Sequence, residues 1–466
     1  MLEGQILGAE GKGTVNQADR ELHRIAVPAM LGYLGLIAYQ VVDVFWIGRL
    51  GAEAVAGVGA VAFLQWVVFG LMHLSGTGCA TLVAQAVGAR DRRLAHRVAA
   101  QATVLSIGLS LLLVVMAALG QSQAFSLMGL EGATLTAAQR YFEIFVPTIP
   151  LHYLVFLGER IFSAYGDTRT NTVIVTSALL LNAILDPLLM FGWFGLPALG
   201  VSGAAFATML SEAIALVAKF VFLRRRGYLG PVTELLRPGR EHLRTLLRIG
   251  TPTVLTNVTW SFVYPLLVPV LTRFGVVPLA CLSIAHRIEG VPYFASLGFS
   301  IAVATLVGQA YGRRDAPSVI RTAARGTVLI TLYLLPVSLL FLLVPEFFFS
   351  LLNDDPAVIA EGARYLRIVG LFEVCMGWEL VLEGAFNGLG NTRGYMFLAV
   401  PLTLFRIPLA WLLAITCGLG PAGVWWAIGL STCAKGLCLF LAFRTNRTNR
   451  TLLAALSAEP CSARGS

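Results

Sequence analysis

Charge is what this sequence has least of. Only 13% of its 466 residues are Asp, Glu, Lys or Arg, where a water-soluble protein carries about a quarter. With 57% hydrophobic residues and a mean hydropathy of +0.77, the chain lacks the polar surface to cover a soluble body of this size. Short alternating runs are also missing, which argues against a membrane β-barrel. The seven Cys have no metal-ligand spacing, and Cys79, Cys281, Cys375, Cys417, Cys433 and Cys438 lie in or at the ends of apolar runs. There they read as small buried apolar residues, with neither a disulfide nor a metal site expected. The first 20 or so residues lack the charged-then-apolar layout of a cleaved signal. The first apolar run, from Ile25, is therefore expected to stay as an anchor.

What is present is a series of long apolar stretches rich in Leu, Val, Ala and Gly. Each reaches or exceeds the roughly 20 residues that cross a bilayer as a helix, and the longer ones imply tilt or extension past the bilayer. They predict twelve spans, at 24–48, 54–87, 94–119, 135–164, 171–194, 201–223, 243–274, 279–311, 317–345, 357–389, 394–417 and 421–444. The net charge of +9 comes from short loops and not from a basic, aromatic platform, so no nucleic-acid partner is expected. One set of loops holds Arg90, Arg92, Arg93 and Arg97, then Arg169, Arg224 to Arg226, Arg313 with Arg314, and Arg393. The opposite set is poor in basic residues, with Asp354, Asp355 and Glu361 before span ten. By the positive-inside rule both termini are cytoplasmic.

The sequence repeats itself at an offset of 224 residues. Ala80–Asp91 (Ala-Thr-Leu-Val-Ala-Gln-Ala-Val-Gly-Ala-Arg-Asp) matches Ala304–Asp315 at nine of twelve positions. The same offset pairs Pro28 with Pro252, Arg49 with Arg273, Tyr141 with Tyr365, Glu159 with Glu383, and Gly166–Arg169 with Gly390–Arg393. One gap then sets Gly200-Val201 against Gly423-Val424. Six spans per unit leave both units in the same orientation, a parallel repeat of the kind found in transporters. The domain expectation is a six-helix lobe over 1–223, a basic cytoplasmic linker over 224–240, and a second six-helix lobe with a short cytoplasmic tail over 241–466.

Residues shared by the halves point to fold; residues found in one half point to chemistry. Asp43 falls in span one opposite Leu267, and Asp186 in span five opposite Ala410. Asn182 is four residues before Asp186, on the same helix face. Pro187 follows directly and brings no backbone donor, which frees a carbonyl for a cation. An intramembrane carboxylate is costly unless it meets a base, a cation or a proton. No Lys or Arg lies deep in spans one to six: Arg160 and Lys219 are toward the cytoplasmic ends, and His73 and His152 can be neutral. Asp43 and Asp186 therefore read as carriers of Na⁺ or H⁺, against the alternative that they hydrogen-bond to backbone and lock helix packing. In the second half Arg287, Glu289, Glu373, Glu379 and Arg406 include both signs. Structural ion pairs and substrate contact are the two readings for them. The duplicated Glu159 and Glu383 read as structural, and Tyr141 stands open between the two roles.

In order and spacing, several segments resemble the multidrug and toxic compound extrusion (MATE) family over nearly the whole chain. They are Val42-Asp43-Val-Phe-Trp-Ile-Gly48, Leu82-Val-Ala-Gln85 with Leu306-Val-Gly-Gln309, Asn182-Ala-Ile-Leu-Asp-Pro187 and Gly200-Val-Ser-Gly-Ala-Ala-Phe-Ala-Thr208. The first-half acids resemble the prokaryotic branch named for DNA-damage-inducible members. That resemblance implies a cation site formed by Asp43, Asn182, Asp186 and Thr208, with Tyr141 beside it; the first four would be metal ligands if Na⁺ is the coupling ion. Another branch uses acids in spans seven and ten, and span seven here, 243–274, has none. The implied fold is all-α, with two lobes rocking around a central cavity.

The expected function is H⁺- or Na⁺-coupled antiport of amphipathic, often cationic, organic compounds out of the cell. No cofactor beyond the coupling ion is expected, and one chain is expected to suffice. The expected location is a bacterial inner membrane. A lipid or lipid-linked precursor flippase is the rival reading, weakened by the acidic first half. An intramembrane enzyme lacks support: there is no Asp pair for a Mg²⁺-diphosphate and no His-Glu zinc pattern.

Overall fold

The computed structural model describes residues 12–236 and 239–445. Among them the regular structure is helical. The first-half helices are α1 Lys12–Gly48, α2 Ala52–Gly88, α3 Arg92–Leu127, α4 Gly132–Ala164, α5 Thr168–Phe191 and α6 Val201–Arg225. The second half holds α7 Arg240–Leu271, α8 Val276–Gly312, α9 Ala316–Leu343, the short α10 Pro345–Ser350, α11 Pro356–Gly370, α12 Glu373–Leu389, α13 Thr392–Trp411 and α14 Pro421–Thr445. Eleven of these are long and apolar enough to cross a membrane. The stretch expected as span ten, 357–389, is instead the pair α11 and α12. The helix tightens at the join, where Leu371 N–H donates to Ile368 O and Phe372 N–H to Val369 O, three residues back. Such a turn breaks the regular ladder and is a common device where a helix carries function. Hydropathy alone reads through it because residues on both sides are apolar.

The repeated motifs build matching turns. Arg90 and Arg314 both adopt the left-handed region, each with φ of 59°. Asp91 and Asp315, one residue on, cap α3 and α9 by accepting from Leu94 N–H (2.9 Å) and Ser318 N–H (3.1 Å). A side-chain acceptor at this position satisfies a donor that the helix start leaves open. Gly166 and Gly390 turn the chain with φ of 75° and 74°. The residues after them, Asp167 and Asn391, cap α5 and α13.

The helices gather into two compact units. One comprises Leu31–Val87 and Asp91–Val254; the other takes the chain from Leu255 onward together with the stretch up to Met30 and Gly88–Arg90. These groupings differ at their edges from the chain-order halves. The first turns of α1 pack with second-half helices, where Leu22, Ile25 and Ala26 share a core with Phe299, Val303 and Phe386. Asp19 accepts both Arg325 Nε (2.8 Å) and Arg325 Nη2 (2.5 Å) on α9. Leu246, at the start of α7, is buried in a first-unit core with Cys79, Val83 and Phe162. The expected linker 224–240 contains a 3₁₀ turn, Val232–Leu236, whose Glu234 lies 3.6 Å from Arg97. Residues 237–238 of that linker and the expected tail beyond 445 lie outside the described residues.

Small residues set how closely helices approach. Gly384 and Gly388, four apart on α12, face the backbone of α8; a Cβ on Gly388 would meet Ala304 O at 2.5 Å, and one on Gly384 would strike Ser300 O. Small-xxx-small faces are how helices pack without a hydrophobic driving force in lipid. Gly388→Val is therefore expected to lower stability by roughly 1–3 kcal/mol through overpacking. Thermal unfolding of detergent-purified protein, followed by size exclusion, should show a clear drop in Tm, whereas Gly59→Ala, facing open space, should leave it near wild type.

Candidate functional site

The first-unit site is assembled by three helices. On α1, Tyr39 and Asp43 are one turn apart and so project from one face. On α5, Asn182 and Asp186 do the same, and Pro187 supplies no N–H to the carbonyl of Ala183, four residues back. The third helix, α6, is folded back against α5 by the Phe191–Gly200 connection. Leu199 N–H donates to Leu189 O and Gly200 N–H to Met190 O, both at 3.0 Å. Gly200 itself is at φ 56°. Gly203 then lets the α6 backbone lie against Leu189 and Met190, where a Cβ would sit 2.6 Å from Leu189 C. That close approach places Thr208 beside Asn182.

Asn182 and Thr208 Oγ1 are 3.2 Å apart. With the amide turned to satisfy all its neighbours, Asn182 Nδ2 donates to Asp186 Oδ2 (3.0 Å), and its oxygen accepts from Thr208 N–H and Oγ1–H. Amide orientation follows from the surrounding donors and acceptors in this way. Thr208 Oγ1 also lies 3.3 Å from Tyr39 OH. Asp186 is fully buried, and its Oδ1 has no hydrogen-bond partner among the described residues. Asp43 is half-buried and acts electrostatically on Asp186. Neither acid forms an ion pair among the described residues. Tyr141, buried on α4, is hydrogen-bonded by Gln65 and lies within the field of both carboxylates. The structure thus brings together Asp43, Asn182, Asp186, Thr208 and Tyr141, and adds Tyr39 and Gln65. Among the described residues no three His, Cys, Asp or Glu side chains group as a metal cluster. A cation here would be held by carboxylate, amide, hydroxyl and carbonyl oxygens, the donor set that suits a hard ion.

The second-unit polar residues do not form one cluster of mutual ion pairs. Glu289 accepts from Tyr365 OH at 2.8 Å. Glu379 pairs with Lys435 at 2.6 Å, both buried. Arg406 is buried, donating to Ser431 Oγ (2.8 Å) and Thr432 Oγ1 (3.0 Å) and lying over the Tyr264 ring. Glu373 is buried at the break between α11 and α12, with both carboxyl oxygens lacking a hydrogen-bond partner among the described residues. Arg287 is exposed. Of the duplicated acids, Glu159 accepts from Tyr33 OH (3.4 Å) and Glu383 from Tyr395 OH (3.2 Å).

The sequence profile of the MatE family matches residues 28–188 and again 252–412, two copies set apart by the same 224 residues as the internal repeat. The chain belongs to the MatE family. It is a multi-pass membrane transporter and not an enzyme. A probable multidrug resistance protein NorM of Thermotoga maritima is 26% identical over 89% of each chain. A protein of the same description from Bradyrhizobium diazoefficiens is 29% identical, covering 91% of this chain and 92% of the relative. The solved structure of a multidrug resistance MATE family transporter of the MOP superfamily, in an outward-facing conformation, matches with a TM-score of 0.86 at 24% identity. That match covers 95% of this chain and 97% of the other. The Vibrio cholerae MATE transporter VcmN, solved as a point mutant, also matches at 0.86, with 19% identity over 95% and 100% of the two chains. At these identities the structural likeness establishes the MATE fold.

Residues that sequence reading passed over were visible in outline. Tyr39 is one turn from Asp43, Glu212 one turn past Thr208, and Lys435 stands alone inside the apolar run of α14. The Glu379–Lys435 pair gives a stability test. Removing one partner of a buried pair strands the other charge, a cost of about 3–5 kcal/mol. Glu379→Gln should unfold at markedly lower temperature than wild type, and the double variant Glu379→Gln/Lys435→Met should recover most of that loss. Thermal unfolding of the purified variants checks both.

Proposed function

We propose that this MatE-family transporter is a cation-coupled antiporter that exports amphipathic organic compounds, many of them cations, by alternating access. The supporting observation is the fully buried Asp186. One of its oxygens is unpartnered, Asp43 acts on it, and no ion pair offsets either charge among the described residues. Two acids so placed in a membrane favour uptake of a positive ion. The multidrug descriptions of the Thermotoga and Bradyrhizobium relatives, and of the multidrug export protein MepA of Staphylococcus aureus at 23% identity, support the substrate class.

In this reading Asp43, Asn182, Asp186 and Thr208 hold the coupling ion, with Tyr141 and Tyr39 beside them. This residue set, with an α7 free of acids beyond its cytoplasmic first turns, supports membership of the branch named for DNA-damage-inducible members. The six spans of each chain half act as a lobe, and a single chain carries the cycle. The bacterial relatives and the basic loops support an inner-membrane location with both termini cytoplasmic. Ion binding drives transport because occupancy neutralises the acids, and the neutral and charged sites favour different helix arrangements. An ion bound equally well in both would shift nothing. The oxygen set accommodates H⁺ or Na⁺.

Vesicles reconstituted with wild type and Asp43→Asn, loaded with ethidium and given H⁺ and Na⁺ gradients separately, test this reading. One gradient should drive wild-type efflux, and Asp43→Asn should reduce that driven rate at least tenfold. Equal driven rates for mutant and wild type would overturn the assignment. Efflux by neither gradient would overturn the substrate class and favour a lipid-moving role.

A further inference from the structure

A second titratable pair lies in the first unit. His152, on α4 and 6% exposed, sets its Nδ1 against Oε2 of Glu212 on α6. Thr148 Oγ1–H donates to Phe145 O at 2.6 Å. Thr148 Oγ1 also lies 3.2 Å from His152 Nε2, where the imidazole tautomer decides which of the two donates. A bare nitrogen and a carboxylate oxygen are both acceptors and cannot abut. A proton must lie between them: on Nδ1 of a neutral imidazole or an imidazolium facing carboxylate, or on a carboxylic acid facing bare Nδ1. Losing that proton leaves a lone pair facing a carboxylate and opens the α4–α6 contact.

Position links this pair to the site above it. Glu212 is one turn past Thr208 on α6, toward the basic Arg224–Arg226 end. Tyr141 lies in the field of Asp43, Asp186 and Glu212 alike. On the far side, the buried Lys219 feels both Glu212 and Glu159 and donates to Val155 O at 3.0 Å. The groups facing the pair are therefore Tyr141 on α4, Lys219 on α6 and, across the ring faces of His152, the apolar Phe69 of α2 and Phe145 of α4.

The repeat sharpens the case. In the register that aligns Gly200 with Gly423, Glu212 stands opposite Lys435. Lys435 also makes a buried pair, with Glu379 on α12. Both halves thus carry a charged contact at this level. In the second half it joins ammonium to carboxylate, while in the first it includes an imidazole, the side chain suited to exchanging protons near neutral pH.

We propose that His152 and Glu212 form a proton-transfer station on the cytoplasmic side of the Asp43/Asp186 site. This rests on the coupling-site reading above with H⁺ as the coupling ion. The station accepts the proton that leaves the carboxylates and passes it to cytoplasmic water. In the first transfer an aspartic acid becomes a carboxylate and the His152–Glu212 pair goes from one shared proton missing to one present. In the second, the pair returns that proton to water as hydronium. The pair does not touch the exported compound; it sets how the cycle answers to cytoplasmic pH.

The test uses full-length protein in vesicles with His152→Gln, Glu212→Gln, Glu212→Asp and Asp43→Asn, each confirmed monodisperse by size exclusion. Two rates are read: proton-driven ethidium efflux as the cytoplasmic-side pH is stepped from about 6 to about 8, and gradient-free exchange of ethidium across the membrane. Wild-type efflux should rise with cytoplasmic pH, because the station then discharges. In His152→Gln and Glu212→Gln that rise should flatten, with driven efflux falling at least tenfold more than exchange. Glu212→Asp, which keeps a carboxylate, should recover part of the slope. An unchanged pH profile in both Gln variants would overturn the proposal. So would equal loss of driven efflux and exchange, which marks a packing role. Failure of the coupling-site reading shows separately, as Asp43→Asn with wild-type driven efflux.

Discussion

A carboxylate inside the membrane with no base to meet it is the constraint around which the first unit is organised. Asp186 is fully buried and keeps one oxygen without a partner among the described residues. Such a group is costly in a medium of low polarity, and a structure retains it only if something else settles the charge. The surroundings supply an amide, two hydroxyl-bearing side chains and a helix carbonyl that Pro187 leaves without its usual donor. All of these suit a bound cation or a shared proton better than they suit a permanent ion pair. The helix ends serve this arrangement. Gly203 allows α6 to lie against α5, and the 3.0 Å backbone bonds from Leu199 and Gly200 hold Thr208 to Asn182.

The second half solves the same electrical problem differently. Its buried acids meet partners built into the chain: Tyr365 for Glu289 and Lys435 for Glu379. Arg406 donates to two hydroxyls and lies over an aromatic face, its Nη1 being without a hydrogen-bond partner among the described residues. Glu373 departs from this pattern, and it lies at the break between α11 and α12. Gene duplication explains the shared turns, where Arg90 and Arg314 take the same φ and Asp91 and Asp315 the same capping role. Divergence at Asp43 against Leu267, and at Asp186 against Ala410, explains why the two units with one ancestral plan now differ in charge.

Much of this was legible in the sequence because the signals were strong and local. Apolar runs of spanning length located the helices, and the 224-residue repeat anticipated the two matches of the family profile. The asymmetry test singled out Asp43, Asn182 and Asp186, which the structure brings into one site with Thr208. Other features depend on tertiary contact and left little trace. The break at Leu371–Phe372 is written in apolar residues that read as an unbroken span. That Glu379 meets Lys435, and not Arg287 or Arg406, follows from the rotation of α12 against α14. The first turns of α1 bind second-half helices through Asp19 and Arg325, a pairing across 306 residues that no local pattern announces. That His152 sets its Nδ1 against Glu212, 60 residues on in sequence, likewise follows from the packing of α4 on α6.

The central claim is that the first-half carboxylates hold the coupling ion and surrender it when the exported compound binds. It is tested most directly by adding ethidium to purified protein in weakly buffered detergent solution and recording ion release, as a pH change and as displacement of bound radioactive Na⁺. The account predicts release of one of the two ions by wild type and none by Asp186→Asn under the same saturating dye. Equal release from both proteins would contradict it, and the ion would have to be held elsewhere in the chain.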